Sequence, residues 1–430
     1  MKKHSLRNTG KNILIAGMTL AALLSGTKEA RAEDYLSGPR LEEKVSGREY
    51  EKQEIIKQPS KFSPKIDINL RDPRKDSEAN TKIKNSLINL LGEPIGSLGK
   101  KTEDSVEQPY LKKVPRFIEL GLHALNSTFF EVISHEYGHY RAGEKTGAEN
   151  IHAHIGFPLL ERSWCRYGNL NDDSLNGKLE RTIGGPNQDS INILNSFTNS
   201  QVNKNELYNS VDRIITHLGQ NIYLQKSKEG IDDYKKIERI LNEKGYDISL
   251  NEMRKNNTAL NFLNPTNWRD TYNLLKFLKE GKRDLDNIQI GQGNLKFGLP
   301  SLSHFFTVDG ELATLTEFIK YKKTPIEFSF SRDLDFTQEK AGVNIIRIGG
   351  KLYEVPLTNR VNISPYVNLN FGRSNLNSNG ANVGTEIEMK ISDNFSLTGK
   401  LEYNKDDILE SRIKGKDNGV YATAGIKLFY

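Results

Sequence analysis

Apolar residues recur at helical spacing from Pro115 to Gly147. Ile118, Leu122, Leu125, Phe129, Val132 and Ile133 mark the stripe, and Gly147 supplies a stop signal. A strand-like Ile151 to Phe157 follows, then a loop around Trp164 to Asn176. A second helix is expected to start at the Gly184-Gly185-Pro186 break and to run through Ile191, Leu194 and Phe197. Helices are expected to continue through Leu207 to Leu224 and Asp232 to Leu241, with another beginning near Asn267 and ending by Gly281. Ahead of all this, residues 33–112 are charged, with scattered Pro and Gly, and only Ile83 to Leu91 shows a short helical run. Most of this region reads as a polar linker or arm.

Beyond about Gly293 the period becomes two. Val361, Ile363, Val367, Leu369 and Phe371 alternate with Asn362, Ser364, Asn368 and Asn370. Val383, Ile387, Met389 and Ile391 alternate with Asn382, Glu386, Glu388 and Lys390, and a third run from Phe395 to Tyr403 repeats the pattern. Roughly eight such strands are expected from Glu311 onward, each about ten residues long, a length that suits a tilted membrane strand. A soluble sandwich packs its apolar face inward against a second sheet. A membrane barrel turns that face to lipid and its polar face to the lumen. The run ends on Tyr430, with Leu428, Ile426, Ala424 and Ala422 at alternate positions before it. This resembles the C-terminal signal of bacterial outer-membrane barrels, which favours the barrel.

The first segment joins basic residues (Lys2, Lys3, Arg7, Lys11) to an apolar run from Ile13 to Leu24 and an Ala30-Arg31-Ala32 site. This is the pattern of a secretory signal over 1–32. Those residues hold six basic and one acidic side chain, a balance of +5 against +6 for the whole chain, which leaves +1 for the rest. That near-neutral remainder gives no reason to invoke nucleic acid. Cys165 is the one cysteine, which excludes an internal disulfide and a thiolate zinc cluster, so any metal is held by His and carboxylates.

The chemistry is concentrated in His135-Glu136-Tyr137-Gly138-His139. Histidines four apart share one face of a helix and reach one zinc ion. A glutamate beside the first is placed as general base, taking a proton from an attacking water and passing it to the leaving amine. The plainer alternative is a helix whose two histidines pair with nearby acids.

The run from His135 to Pro158 resembles the site-2 protease family, in which HExGH is followed by a Gly, a strand and a Gly-Phe-like turn. Gly184 to Asp189 is similar to that family's Gly-Pro-x-x-Asn element. Asn264-Pro265 to Asp270 is similar to its Asn-Pro...Asp element, whose Asp is the third zinc ligand. The likeness covers roughly a third of the chain, and only HExxH is specific. It implies His135, His139 and Asp270 as zinc ligands and Glu136 as the base. Two departures stand against it: that family holds its site in transmembrane helices, which are missing here, and its Asp-Gly is Asp270-Thr271. No histidine follows in Glu144-Lys145-Thr146, as a metzincin requires. Asp189, His152, His154 or a Glu are alternative third ligands.

The expectation is an α+β chain: signal peptide 1–32, polar linker or arm 33–112, helical zincin-like domain 113–292, and antiparallel β domain 293–430, an eight-stranded outer-membrane barrel. The expected function is a zinc metallopeptidase, exported to the periplasm or outer membrane, acting on a peptide or protein substrate. The alternative is a non-enzymatic outer-membrane barrel with a structural or vestigial metal site.

Overall fold

The computed structural model describes residues 65–69, 77–156, 163–202, 205–227, 232–285, 289–291, 293–322, 324–334, 344–373, 379–407, 409 and 418–429. The expected signal segment, Phe157 and Tyr430 lie outside the described residues. All that follows concerns the compact unit formed by Ser63–Ile155 and Ser163–Tyr430.

The unit opens with strand β1 (Lys65–Asn69) and helix α1 (Ser77–Asp104). Residues 33–112 are therefore not all linker. Lys-Ile-Asp-Ile-Asn alternates as a strand should, and α1 buries Ile88 together with Asn80, Thr81 and Lys84. The polarity of that buried face hides the helix from a search for apolar stripes. Lys84 pairs with Glu131 and lies 3.2 Å from Asp212, fixing α1 to the helices behind it.

Helix α2 (Lys113–Lys145) follows, and the chain then turns at Gly147 with φ +71°. A short hairpin, β2 (His152–His154) and β3 (Trp164–Arg166), lies against α2. Helix α3 (Leu175–Val202) runs straight through Gly184-Gly185-Pro186, where a break was expected. The glycines serve close packing instead. A Cβ on Gly138 would stand 2.4 Å from the Gly184 carbonyl oxygen, and one on Gly184 would stand 2.5 Å from that of Gly138. The two helices thus cross backbone to backbone, and that contact holds α3 together across its proline.

Short strand β4 (Asn205–Glu206) leads to α4 (Leu207–Lys226), α5 (Asp233–Glu243), α6 (Leu250–Leu263) and α7 (Pro265–Glu280). Ser249 and Glu252 form a capping box that starts α6, and Asn264 with Pro265 at the first position starts α7. Strand β5 (Asp284–Leu285) pairs with β4. The apolar core lies between α3, α5 and the start of the large sheet, around Leu179, Ile183, Ile237, Leu241, Phe306 and Leu312. Each of these contributes about 1.5–3 kcal/mol by burial.

The large sheet adds β6 (Leu295–Phe297), β7 (Ser301–Thr307), β8 (Gly310–Tyr321), β9 (Thr324–Asp333), β10 (Asn344–Leu352), β11 (Val355–Pro356), β12 (Val361–Arg373), β13 (Gly380–Ser392), β14 (Phe395–Lys405) and β15 (Gly419–Phe429). From β7 to β15 it is an antiparallel meander in which each long strand pairs with the next. β6 extends the β7 side of β8, and β1 pairs with the outer side of β15, so that the first strand completes the edge made by the last. No ladder joins β7 to β1 among the described residues. Helix α1 packs on β1, and α3 and α6 pack on β7.

Along most of the long strands one face buries polar side chains and the other exposes apolar ones. Asn382 is 0 % exposed and its neighbour Val383 46 %; Glu402 is 2 % exposed and Leu401 52 %. Ser331, Arg347, Asn370 and Ser396 are likewise buried, while Phe330, Ile348, Leu369 and Leu397 are exposed. Pairs on this face reach across intervening strands: Arg347–Asp407 at 3.0 Å, Lys351–Glu386 at 2.7 Å and Lys427–Glu388 at 2.6 Å, while the Asn382 amide and the Ser396 hydroxyl have no protein partner among the described residues.

Candidate metal centre

Helical spacing puts His135 and His139 on one face of α2, and the glycine crossing brings α3 over them. Their Nε2 atoms lie 3.2 Å apart. Asp233, at the start of α5, places Oδ2 3.1 Å from Nε2 of His139 and 3.6 Å from Nε2 of His135. Four ligands arranged tetrahedrally at about 2.0–2.1 Å stand about 3.3 Å from one another, and these three atoms have that spacing.

The outer face of each imidazole is fixed by a different group. Nδ1 of His135 meets the Asp189 carboxylate at 2.9 Å, and Nδ1 of His139 meets the Arg181 carbonyl at 2.8 Å. With Nδ1–H donating outward, both Nε2 lone pairs face Asp233, the arrangement that orients histidine ligands in metal sites. Tyr223 donates to Asp233 Oδ2 at 2.9 Å and sets its edge against His135.

Two further observations test whether a cation fits. A Cβ on Gly185 would lie 2.4 Å from both Nε2 atoms, so the missing side chain leaves a space open beside them. The other is the charge balance. Burial disfavours the imidazolium form, yet the Asp189 charge and the hydrogen bonds to Asp189 and Asp233 hold His135 well above its usual range, and His139 is raised as well, chiefly by Asp233. Burial also opposes ionisation of Asp233, but both imidazoles outweigh it and hold its carboxyl well below the usual range. The two imidazoles and Asp233 thus stabilise one another's charges without a metal, and the donor set of two imidazoles and a carboxylate is of a kind that zinc accepts.

Glu136 is buried, and its Oε2 has no hydrogen-bond partner. Burial raises its carboxyl, against the pull of His135 and His139. Cys165 on β3 is pushed up to about 12 by burial and by the Glu136 charge, so it stays a thiol beside the site.

Asp270, expected as third ligand, is elsewhere. Its carboxylate is gripped by Arg213 at 2.6 Å and Arg269 at 3.0 Å, with Ser210 donating as well, and all of these are buried. That carboxylate neutralises arginines. Asp189 lies behind His135 and contacts its far nitrogen. His154 stacks on Trp164, and His152 is exposed; neither joins His135, His139 and Asp233. Asp233 was legible only as part of an acidic pair at an expected helix start, a pattern equally common as a cap. Comparison with protein-family models, curated proteins and solved structures finds no match to this chain, so the reading of the site rests on its own geometry.

Proposed function

We propose that this protein is a zinc-dependent hydrolase, a metallopeptidase, held at the bacterial cell envelope by a β-barrel in the outer membrane. The observation that carries the first part is the convergence of Nε2 of His135, Nε2 of His139 and Oδ2 of Asp233, each oriented from behind, next to the buried and unpartnered Glu136 carboxylate. A zinc ion held by those three groups supplies Lewis acidity toward a scissile carbonyl and makes a water acidic near neutral pH. Asp189 and the Arg181 carbonyl keep both imidazoles in the ligating tautomer. Tyr223 holds Asp233 in place. Glu136, raised by burial, takes the proton of the attacking water and returns it to the leaving amine. The resemblance to site-2 proteases supports the same roles for His135, His139 and Glu136, with Asp233 in place of Asp270.

The membrane reading is supported by the inverted sheet. In water, each exposed Leu, Ile or Phe forgoes about 1.5–3 kcal/mol of burial, and here they recur on strand after strand. Against lipid they are satisfied, and the ion-paired inner face becomes a lumen. In this reading the long strands β7–β10 and β12–β15 supply eight staves of the barrel wall, and β1, paired on the outer edge of β15, extends it by one more.

The test compares the wild-type chain with Glu136→Gln for zinc content and peptide hydrolysis. Both are expected to hold about one zinc per chain, and the variant to lose activity by about 10²–10⁴-fold. Absence of zinc from both, or full activity in the variant, overturns the hydrolase reading.

A further inference from the structure

Helix α2 changes character along its length. Its second half carries the candidate ligands under the cover of α3 and α5. Its first half is inside out. Arg116, Glu119, His123 and Ser127 are buried, Glu119 at 1 % exposure, while Val114, Phe117, Ile118, Leu122 and Leu125 face outward, Ile118 at 59 %. The buried side is held in part by hydrogen bonds: Arg116 donates to the Leu278 and Lys279 carbonyls and to Glu103, and Arg283 donates to Glu119, while His123 Nδ1 and Ser127 Oγ have no partner among the described residues. The outward side forms a stripe about 17 Å long from Val114 to Leu125.

We infer that this stripe is a second membrane-contact surface, on which α2 lies along the bilayer with its outward side chains among the acyl chains of one leaflet. The inference rests on the barrel reading, because it places the helical part beside the membrane that the sheet enters. Three observations select lipid as the occupant. The inversion is the one the sheet displays, polar groups inside and apolar groups outside. No helix of the described residues is long and apolar enough to cross a bilayer, so α2 meets it sideways. Exposed Lys100 and Lys101 lie in the last turns of α1 and exposed Lys113 opens α2, with exposed Tyr110 in the stretch between and Asp104 and Glu107 as its exposed acids. Basic and aromatic side chains at the end of an apolar stripe suit anionic headgroups. His135 lies about five helical turns beyond Phe117, and His139 the same distance beyond Gly121, so the ligands share the face of the stripe.

The test uses the full chain with Cys165→Ser and one introduced cysteine bearing a bimane fluorophore, reconstituted in vesicles of phosphatidylethanolamine and phosphatidylglycerol. The probe sits at Ile118, at Leu122 as an independent reading of the same stripe, at Leu401 on the sheet exterior, or at half-exposed Lys178 as an aqueous reference. The stripe probes and the Leu401 probe are expected to lose emission to doxyl-labelled lipid and to resist aqueous iodide, and the Lys178 probe to do the reverse. Iodide quenching at Ile118 and Leu122, with lipid quenching at Leu401, overturns the inference and leaves the barrel standing. Protection of the stripe from both quenchers also overturns it, because protein then covers the helix. Iodide quenching at Leu401 as well removes the barrel reading together with it.

Discussion

Two aspartates separate the roles that sequence alone left merged. Asp233 faces both imidazoles, whereas Asp270 faces two arginines. Asp233→Asn is expected to weaken zinc binding by more than about 100-fold, since it removes a charged ligand rather than an outer partner. Asp270→Asn is expected to leave zinc per folded chain unchanged and to lower stability by about 3–5 kcal/mol, because it strands buried guanidinium charge. Zinc titration against a competing chelator, alongside denaturant unfolding, checks both. His217 offers a pH signature. Burial lowers its imidazole from 6.5 to about 4, and its Nε2 has no partner. Between those values the unfolded chain binds a proton that the folded chain refuses, so stability falls as pH drops through that window. The loss at pH 4 relative to pH 7 amounts to about 3 kcal/mol. His217→Gln is expected to flatten that part of the stability–pH curve, read by urea midpoints across the range. At this scale the sequence displayed the candidate histidine pair and Glu136 through their spacing on one helix. It could not display Asp233, because a carboxylate brought in by another helix leaves no local pattern.

At the scale of elements, glycine does work that its sequence context disguises. Gly184-Gly185-Pro186 has the composition of a break, yet it is the point at which α3 presses its backbone on α2 and leaves space beside both Nε2 atoms. Gly185→Ala puts a methyl group into that space. Zinc affinity is expected to fall about tenfold or more, roughly 1.4 kcal/mol. Circular dichroism should remain helical and isothermal titration should report the loss. Unchanged affinity would mean that the space is not the ion's. The long strands and most helices were visible in periodicity, because their faces differ in polarity. α1 was largely invisible because its inward face is Asn, Thr and Lys, and α6 because its clearest signal is a Ser249–Glu252 cap rather than a stripe.

At the scale of the molecule, the question is which medium the exterior of the sheet meets. An alternating strand carries the same sequence in a soluble sandwich and in a barrel, so periodicity left that choice open. The side on which the apolar residues are exposed favours lipid. Leu401 on β14 distinguishes the two media, because it is half exposed and lies opposite Thr385 and Ala422 on the neighbouring strands. For an exposed position in water, Leu401→Arg changes stability by no more than about 0.5 kcal/mol. On the lipid face of a barrel the same charge costs about 2–4 kcal/mol near the bilayer midplane. Refolding from urea into phospholipid vesicles, with the folded fraction read from the faster gel migration of unheated protein, measures the difference. A cost of that size is expected for Leu401→Arg. Glu402→Gln next to it is expected to act through the lumen, where it weakens the acceptor of Tyr366 and Lys400 without placing charge in lipid. If Leu401→Arg is neutral, and the wild-type chain folds equally well without vesicles, the sheet is a soluble one whose exposed face needs another partner.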